Sequence, residues 1–166
     1  MKYQEKKYQI DSFTKIQTIL DEVGAKKGHK VITDHYYAQQ DGNDVVKLVK
    51  YTDRNEIHIL GYSDGKYSLK ENIPVENTET GLQWLKNKGY KIVNLVKMAY
   101  TDYEYKNGIV GLYIIDDFLH SVILDFPEGH HRAIEKEFEL NTTEVISVPY
   151  NKYLDQIGKL RSMKLN

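Results

Sequence analysis

Polar and apolar residues alternate over residues 2–10, KYQEKKYQI, and this period of two predicts a β-strand. Further apolar or alternating segments follow, separated by short turns rich in Asp, Asn and Gly, which is the signal of hairpins. The other predicted strands are HKVITDHYYAQ, VVKLVKY, IHILGY, KYSLKE, KIVNLVKMAYTDYEY, IVGLYIID and HSVILDF. We therefore expect a large antiparallel sheet of about eight strands, enough to close a barrel or tunnel.

Helical periodicity interrupts these strands and predicts flanking helices. The helical segments are DSFTKIQTILDEVG, NTETGLQWLKNKGY, HHRAIEKEFEL and NKYLDQIGKL. Asp11 or Ser12 is expected to cap the first helix and Gly24 to end it, while Asn77 or Thr78 is expected to cap the second. The combination predicts an α+β fold.

Composition narrows the class of protein. The 166 residues suit one domain over residues 1–166, and 40% apolar with 28% charged residues indicates a globular chain. A net charge of -1 gives no reason to expect nonspecific binding to nucleic acid or membranes. Without cysteine there is no disulfide or thiol chemistry, and with no apolar signal segment the expected location is the cytoplasm.

Charged residues within the predicted strands are the candidates for chemistry. Glu5 and Lys7 share a strand face because residues two apart do, whereas Lys47 and Lys50 lie on opposite faces of a regular strand. A lysine between apolar residues of a strand, such as Lys97, is costly unless it is paired. Most strand lysines are solvated, so these bases bind a ligand together only if the strands close around it.

The same alternation separates side chains in TDYEYKNGIVGLY. Tyr103 and Tyr105 are expected on one face of the strand, with Asp102 and Glu104 on the other. We interpret the tyrosines as sheet-packing residues, since the chain lacks the positive groove of a single-stranded nucleic-acid protein.

The order of elements resembles the CYTH family, which contains class IV adenylate cyclases and thiamine triphosphatases among the triphosphate tunnel metalloenzymes. The resemblance spans nearly the whole chain and rests on order and spacing. YQEKK resembles the family's E-x-E-x-K strand with Tyr3 in place of the first acid, and KMA resembles its K-x-R strand with Ala99 in place of the arginine. Other segments with a counterpart are DHYYA, VKLVKY, KENIP, YIIDD, VILDF and KYLDQIG.

The resemblance implies an antiparallel tunnel in which bases bind a triphosphate and acids hold Mg²⁺ or Mn²⁺. A polyanion requires several convergent bases, and a hard divalent cation requires oxygen ligands. On this scheme Glu5 and Lys7 are the catalytic residues. The implied metal ligands are Glu5, Asp116 and Asp125, and the implied phosphate-binding residues are Lys7, Lys47, Lys50, Lys70 and Lys97.

Three hypotheses about function remain open from the sequence. The first is a tunnel protein that binds a nucleotide, triphosphate or polyphosphate and hydrolyses it with a divalent metal, with adenylate cyclase activity as a branch. The second is a catalytically inactive tunnel fold that binds a phosphorylated small molecule or a protein partner. The third is an unrelated α+β binding module.

Overall fold

The computed structural model of the protein describes residues 2–161 and confirms an antiparallel α+β fold. The strands are β1 (Tyr3–Ile10), β2 (Lys26–Lys27), β3 (Val31–Ala38), β4 (Val45–Lys50), β5 (Asn55–Ser63), β6 (Lys66–Val75), β7 (Ile92–Tyr105), β8 (Gly108–Ile115), β9 (Leu119–Pro127) and β10 (Val145–Ile146). The helices are α1 (Thr14–Glu22), α2 (Thr78–Asn87), α3 (His131–Glu137) and α4 (Tyr150–Gln156). Every predicted strand and helix is present, and β2 and β10 are additional.

The start of α1 differs from the prediction. The residue directly before the helix is Phe13, whose side chain makes no capping hydrogen bond. Of the two predicted caps, Ser12 supplies a hydrogen bond from one position earlier, because its Oγ accepts from the Thr14 N–H at 3.2 Å. Within residues 2–161, no helix combines the length and the apolar character needed to cross a membrane.

The described residues fall into two compact units, which are treated separately. Unit 1 comprises residues 2–31 and 99–149, and unit 2 comprises residues 32–98 and 150–161. The long strand β7 contributes its second half to unit 1 and its first half to unit 2. That residues 1–166 form a single domain stays a prediction.

Unit 1 has the strand order β10-β1-β9-β8-β7, with β2 paired to β7. One face of these strands is covered by α1 and α3, because apolar side chains alternate toward the helices. The buried core residues are Tyr8, Ile16, Leu20, Tyr103, Tyr105, Val110, Leu112, Val122, Leu124, Phe126, Ile134, Phe138 and Leu140. The other face of the sheet carries Glu5, Lys7 and Asp125.

Unit 2 has the strand order β7-β3-β4-β5-β6, with α2 against one face. The buried core on that face is formed by Ala38, Val46, Leu48, Ile57, Leu85 and Ile92. Asn77 caps α2 as predicted, because its Oδ1 accepts a hydrogen bond of 2.8 Å from the Thr80 N–H. On the opposite face of this sheet lie Lys47 of β4 and His58 of β5, which are directly paired.

Candidate functional site

In unit 1, the pairing of β1 with β9 brings an acid of each strand together. Glu5 lies directly opposite Asp125, and Lys7 lies opposite Ile123. Directly opposed residues of antiparallel strands share a face, with Cβ atoms about 5 Å apart. The intervening residue Lys6 is opposite Leu124, which belongs to the core under the helices. Glu5, Lys7 and Asp125 therefore lie together on the sheet face opposite α1 and α3.

Asp102 of β7 lies on the same face. A Cβ built at Gly111 of β8 would be 2.8 Å from Asp102 Oδ1, so the carboxylate lies over this glycine. Tyr103 is buried in the core instead, as the predicted alternation requires. We call Glu5, Lys7, Asp102 and Asp125 the carboxylate face.

Burial and mutual repulsion shift the ionisation of this face. Burial raises the pKa of the Asp102 carboxyl, and the charge of Asp125 raises it further. Burial also raises the pKa of Asp125, against an opposing effect of His131. Burial lowers the pKa of Lys7 to about 8, although Glu5 favours its charged form. The surroundings therefore do not fully stabilise the ionised carboxylates of this face, and a bound cation would stabilise them.

Asp116 does not belong to this group. It lies in the turn between β8 and β9 with a positive φ of 50°, next to the Ile115–Leu119 pair that closes the hairpin. Asp125 lies six residues further along β9, which corresponds to roughly 20 Å at the rise of a strand. This separation does not favour Asp116 and Asp125 as ligands of one ion, since coordination requires oxygens within about 2.6 Å of it, and the assignment of Asp116 as a metal ligand stays a prediction.

In unit 2, a row of polar side chains crosses three strands on the face opposite α2. Lys47 of β4 is directly opposite Tyr37 of β3 on one side and His58 of β5 on the other. The Lys47 ammonium lies 5.2 Å from the centroid of the Tyr37 ring, which in turn stacks on His35 at 6.1 Å. Together with Glu56, two residues before His58, these side chains form what we call the histidine face.

Two of the predicted phosphate-binding lysines lie on the other side of unit 2. Lys50 follows Lys47 in an uninterrupted register and is opposite Asn55, which places it on the face of Leu48. The stem of Lys70 packs over Gly61, and its ammonium pairs with Asp44 at 3.2 Å. Both lysines are exposed on the side that carries α2, and the structure does not bring them to the histidine face.

Lys97 lies on the side of β7 that faces away from the α2 core. Ile92 packs in that core, and the buried residues Asn94, Val96 and Met98 continue its face. Lys97, between two of them and only partly buried, points to the opposite side of the strand. Of the predicted bases in unit 2, Lys47 and Lys97 therefore lie on the side of the sheet that holds the histidine face.

Sequence reasoning did not single out Asp102, His35 or His58 as candidate residues. The sequence feature that could have identified Asp102 is its position next to Tyr103, which alternation places on the opposite face of the strand. The feature that could have identified His58 is its position in a strand between two isoleucines. A single histidine in a strand gives no indication of a partner, because its neighbours come from strands that register alone brings together.

The described cavities lie elsewhere in each unit. In unit 1, a cavity of about 140 Å³ is lined by Phe13, Lys27, Lys30 and Tyr103 among others. In unit 2, a cavity of about 590 Å³ is lined in part by Asp41, Asp44, Lys88 and Lys91. Neither cavity is lined by residues of the carboxylate or histidine faces.

Comparison with known proteins gives a match in structure but not in sequence. No family model matches the chain, and no curated protein matches it in sequence. The PH1012 protein from Pyrococcus horikoshii OT3 is similar with a TM-score of 0.77 and 15% identity, over 90% of this chain and 97% of that one. A candidate adenylate cyclase from Vibrio parahaemolyticus is similar with a TM-score of 0.70 and 10% identity, over 92% and 97% of the two chains.

A third structural match has a reported activity. The candidate adenylyl cyclase HpAC1 from Hippeastrum, which has a dominant triphosphatase activity, is similar with a TM-score of 0.64 and 10% identity. The match covers 97% of this chain and 98% of that one. At such identities the likeness establishes the fold and leaves the activity to the residues of this chain. The protein therefore has the triphosphate tunnel fold of the CYTH type.

Proposed function

We propose that this protein binds a triphosphate-type small molecule, either inorganic tripolyphosphate or a nucleoside triphosphate, and hydrolyses it with a divalent metal ion. The observation that carries the proposal is the Glu5–Asp125 pair beside Lys7, on the face of the unit 1 sheet opposite α1 and α3. The triphosphatase activity of HpAC1, which has a similar structure, supports the same substrate class.

The donor set of the carboxylate face suits Mg²⁺ or Mn²⁺. Carboxylate oxygens are the ligands these ions prefer, and Glu5, Asp102 and Asp125 offer only such groups. In residues 2–161, no group of three or more His, Asp or Glu side chains is arranged to hold a metal by itself. That arrangement fits Mg²⁺, which typically binds one or two carboxylates and completes its shell with water and substrate phosphate oxygens.

Each residue has a proposed role on this scheme. Glu5 and Asp125 hold the divalent ion, which when bound polarises a phosphoryl oxygen. Lys7 donates hydrogen bonds to phosphate oxygens, and within unit 2 Lys47 and Lys97 stay proposed phosphate-binding residues. The Asp102 carboxyl, whose pKa is raised, is suited to accept a proton from the attacking water near neutral pH.

A second candidate is binding of the same ligands without hydrolysis. It is favoured by the lack of a preassembled metal group in the described residues and by the use of lysine at every proposed phosphate contact. Lysine gives a point charge where arginine would give a bidentate fork, so the bound phosphate chain is aligned less strictly for in-line attack.

Phosphate release tests the proposal. The purified protein is incubated with tripolyphosphate or ATP, with Mg²⁺ and then Mn²⁺, and inorganic phosphate is measured over time. We expect release by the wild type and a loss of at least about 100-fold in Glu5→Gln and Lys7→Ala, as removal of a charged group at a reacting phosphate costs several kcal/mol. Glu22→Gln on the exposed end of α1 is the matched control and should be unaffected.

The outcomes separate the two candidates. Release that disappears in Glu5→Gln and persists in Glu22→Gln supports hydrolysis at the carboxylate face. No release, with thermal stabilisation by tripolyphosphate, supports binding alone. Neither release nor stabilisation contradicts both.

A further inference from the structure

The smaller of the two cavities described above lies wholly within unit 1 and combines an apolar interior with a cationic rim. We call it the β2 cavity. Its lining includes Tyr103 and Leu112, which are 2% and 4% exposed and belong to the core under α1 and α3. The exposed Lys27 and Lys30, which we call the cavity lysines, also line it. Sites for small molecules typically have such apolar walls with a few polar groups that orient the ligand.

One wall of the β2 cavity is held in place by contacts outside it. The ring of Phe13, a lining residue, packs edge-on against His120 with a centroid distance of 4.8 Å. His120 of β9 lies directly opposite Ile114 of β8, which is also a lining residue. Because these side chains are already ordered, a ligand would bind without paying to immobilise them.

The strand β2 fixes the cationic side. Lys27 is directly opposite Tyr103 of β7, and its ammonium lies 5.9 Å from the centroid of the Tyr103 ring. The next residue, Gly28, donates a backbone hydrogen bond of 2.8 Å to the Asp102 carbonyl. The Asp102 side chain lies over Gly111, on the opposite face of the sheet. The ammonium of Lys27 is therefore positioned beside an aromatic ring of the cavity by a backbone attached to β7.

Acids near the β2 cavity do not neutralise the cavity lysines. Glu104, the acid opposite β2, pairs with Lys26 at 3.8 Å. The acids that precede and end α1 are Asp11, Asp21 and Glu22, and within residues 2–161 none of them forms an ion pair with a cavity lysine. The cavity thus presents two positive charges at the edge of an apolar space, which is complementary to an anion with an apolar body.

We propose that the β2 cavity binds a small organic anion that consists of one apolar ring joined to a carboxylate. The ring packs against Tyr103 and Leu112, and the carboxylate accepts hydrogen bonds from Lys27 and Lys30. The cavity volume of about 140 Å³ suits one six-membered ring, since an apolar cavity of about 150 Å³ holds benzene. Because the site lies on the helix side of the sheet, it is separate from the proposed triphosphate site on the carboxylate face.

An NMR titration of the whole chain with benzoate tests the proposal. Amide and methyl shifts are followed as sodium benzoate is added at constant, low ionic strength. We expect saturable changes centred on Phe13, Leu112 and Ile114, with a Kd on the order of 1 mM, which is typical of so small a ligand.

Two further ligands separate the contributions of the ring and the charge. Benzyl alcohol keeps the ring and lacks the charge, and it should bind at least about threefold more weakly, the effect of losing exposed ion pairs. Acetate keeps the charge and lacks the ring, and it should bind at least about tenfold more weakly, because it buries little apolar surface.

Neighbouring residues of β2 provide a matched pair of variants. Lys27→Gln should weaken benzoate binding about two- to fivefold and leave benzyl alcohol binding unchanged, because only the ion pair is lost. Lys26→Gln removes the same charge from the adjacent residue, which does not line the cavity, and should change benzoate binding by less than about 1.5-fold. Both lysines are exposed, so neither variant disturbs the core.

The outcomes distinguish this inference from the proposed function. Shifts that do not saturate, or equal losses in Lys26→Gln and Lys27→Gln, overturn the benzoate site. Tripolyphosphate at matched ionic strength should not displace benzoate, and displacement would overturn the separation of the two sites. Absence of tripolyphosphate binding contradicts the proposed function alone and leaves the benzoate site standing.

Discussion

Lys7 is a partly buried lysine with a structural contact and a proposed role in phosphate binding. Its ammonium donates a hydrogen bond of 2.6 Å to the Val148 carbonyl. Lys7 lies two residues from Glu5 on β1, on the same face of the strand. Burial nevertheless makes the charged form expensive, and the pKa falls to about 8. On the proposed function, a bound phosphate would stabilise the charged form of Lys7 and raise its pKa toward the ordinary value.

The low pKa of Lys7 predicts a characteristic dependence of stability on pH. Between pH 8 and 10.5, the unfolded chain holds a proton at Lys7 that the folded protein has lost, so raising the pH favours the folded state. Below pH 8 the penalty is complete and constant. The contribution of Lys7 to the free energy of unfolding should therefore rise across this window, by up to about 3 kcal/mol.

Urea unfolding of the wild type and of Lys7→Met at several values of pH measures this contribution as a difference. Other lysines and tyrosines titrate in both proteins and cancel. A difference that stays flat from pH 8 to 10.5 would show that Lys7 has an ordinary pKa in the folded protein.

At the scale of elements, strand register decides which bases can act together. Lys47 and Lys50 are three residues apart on β4, and the continuous pairing with β5 places them on opposite faces. Only Lys47 lies next to His58 and Tyr37. The two lysines thus form a natural pair of site and control on one strand.

This pair gives a direct prediction for ligand binding. Lys47→Ala should weaken tripolyphosphate binding about 10- to 100-fold, because a charge-assisted hydrogen bond contributes about 1.5–3 kcal/mol. Lys50→Ala should change the affinity by less than about twofold, the effect of a screened surface charge. Fluorescence or calorimetric titration at fixed salt checks both, and equal losses in the two variants would contradict the register argument.

The sequence predicted the positions of the strands and helices far better than it predicted which strands pair with each other. Alternation identified β1, and the D-G and N-G turns identified the hairpins, because these signals are local. The strands β2 and β10 were missed, since two residues carry no period. β10 is nevertheless important, because it pairs Ile146 with Lys7.

The same contrast between local signals and long-range strand pairing applies to the candidate site residues. Glu5 and Lys7 were predictable as neighbours from their spacing along one strand. Their proximity to Asp125, and the distance of Asp116 from it, depend on the register of β1, β8 and β9. That register is fixed by which side chains enter the core, a property of several strands together.

On the scale of the whole molecule, charge is distributed locally. The net charge of -1 gives no general attraction for anions. The account therefore depends on the carboxylates concentrated on one face of unit 1 and on Lys7 beside them. Structures that share only 10–15% of this chain's residues have the same fold. The fold therefore does not determine the activity, which depends on the individual residues of this chain.

The most direct test of the central claim is to map tripolyphosphate binding by NMR on the 19.4 kDa protein. Backbone amide and histidine side-chain shifts are followed as tripolyphosphate is added, without metal and then with Mg²⁺. The account predicts the largest changes at and around Lys7, with changes at Glu5 and Asp125 when Mg²⁺ is added. Changes centred instead on the exposed Lys50 and Lys70, with the carboxylate face unaffected, would contradict it.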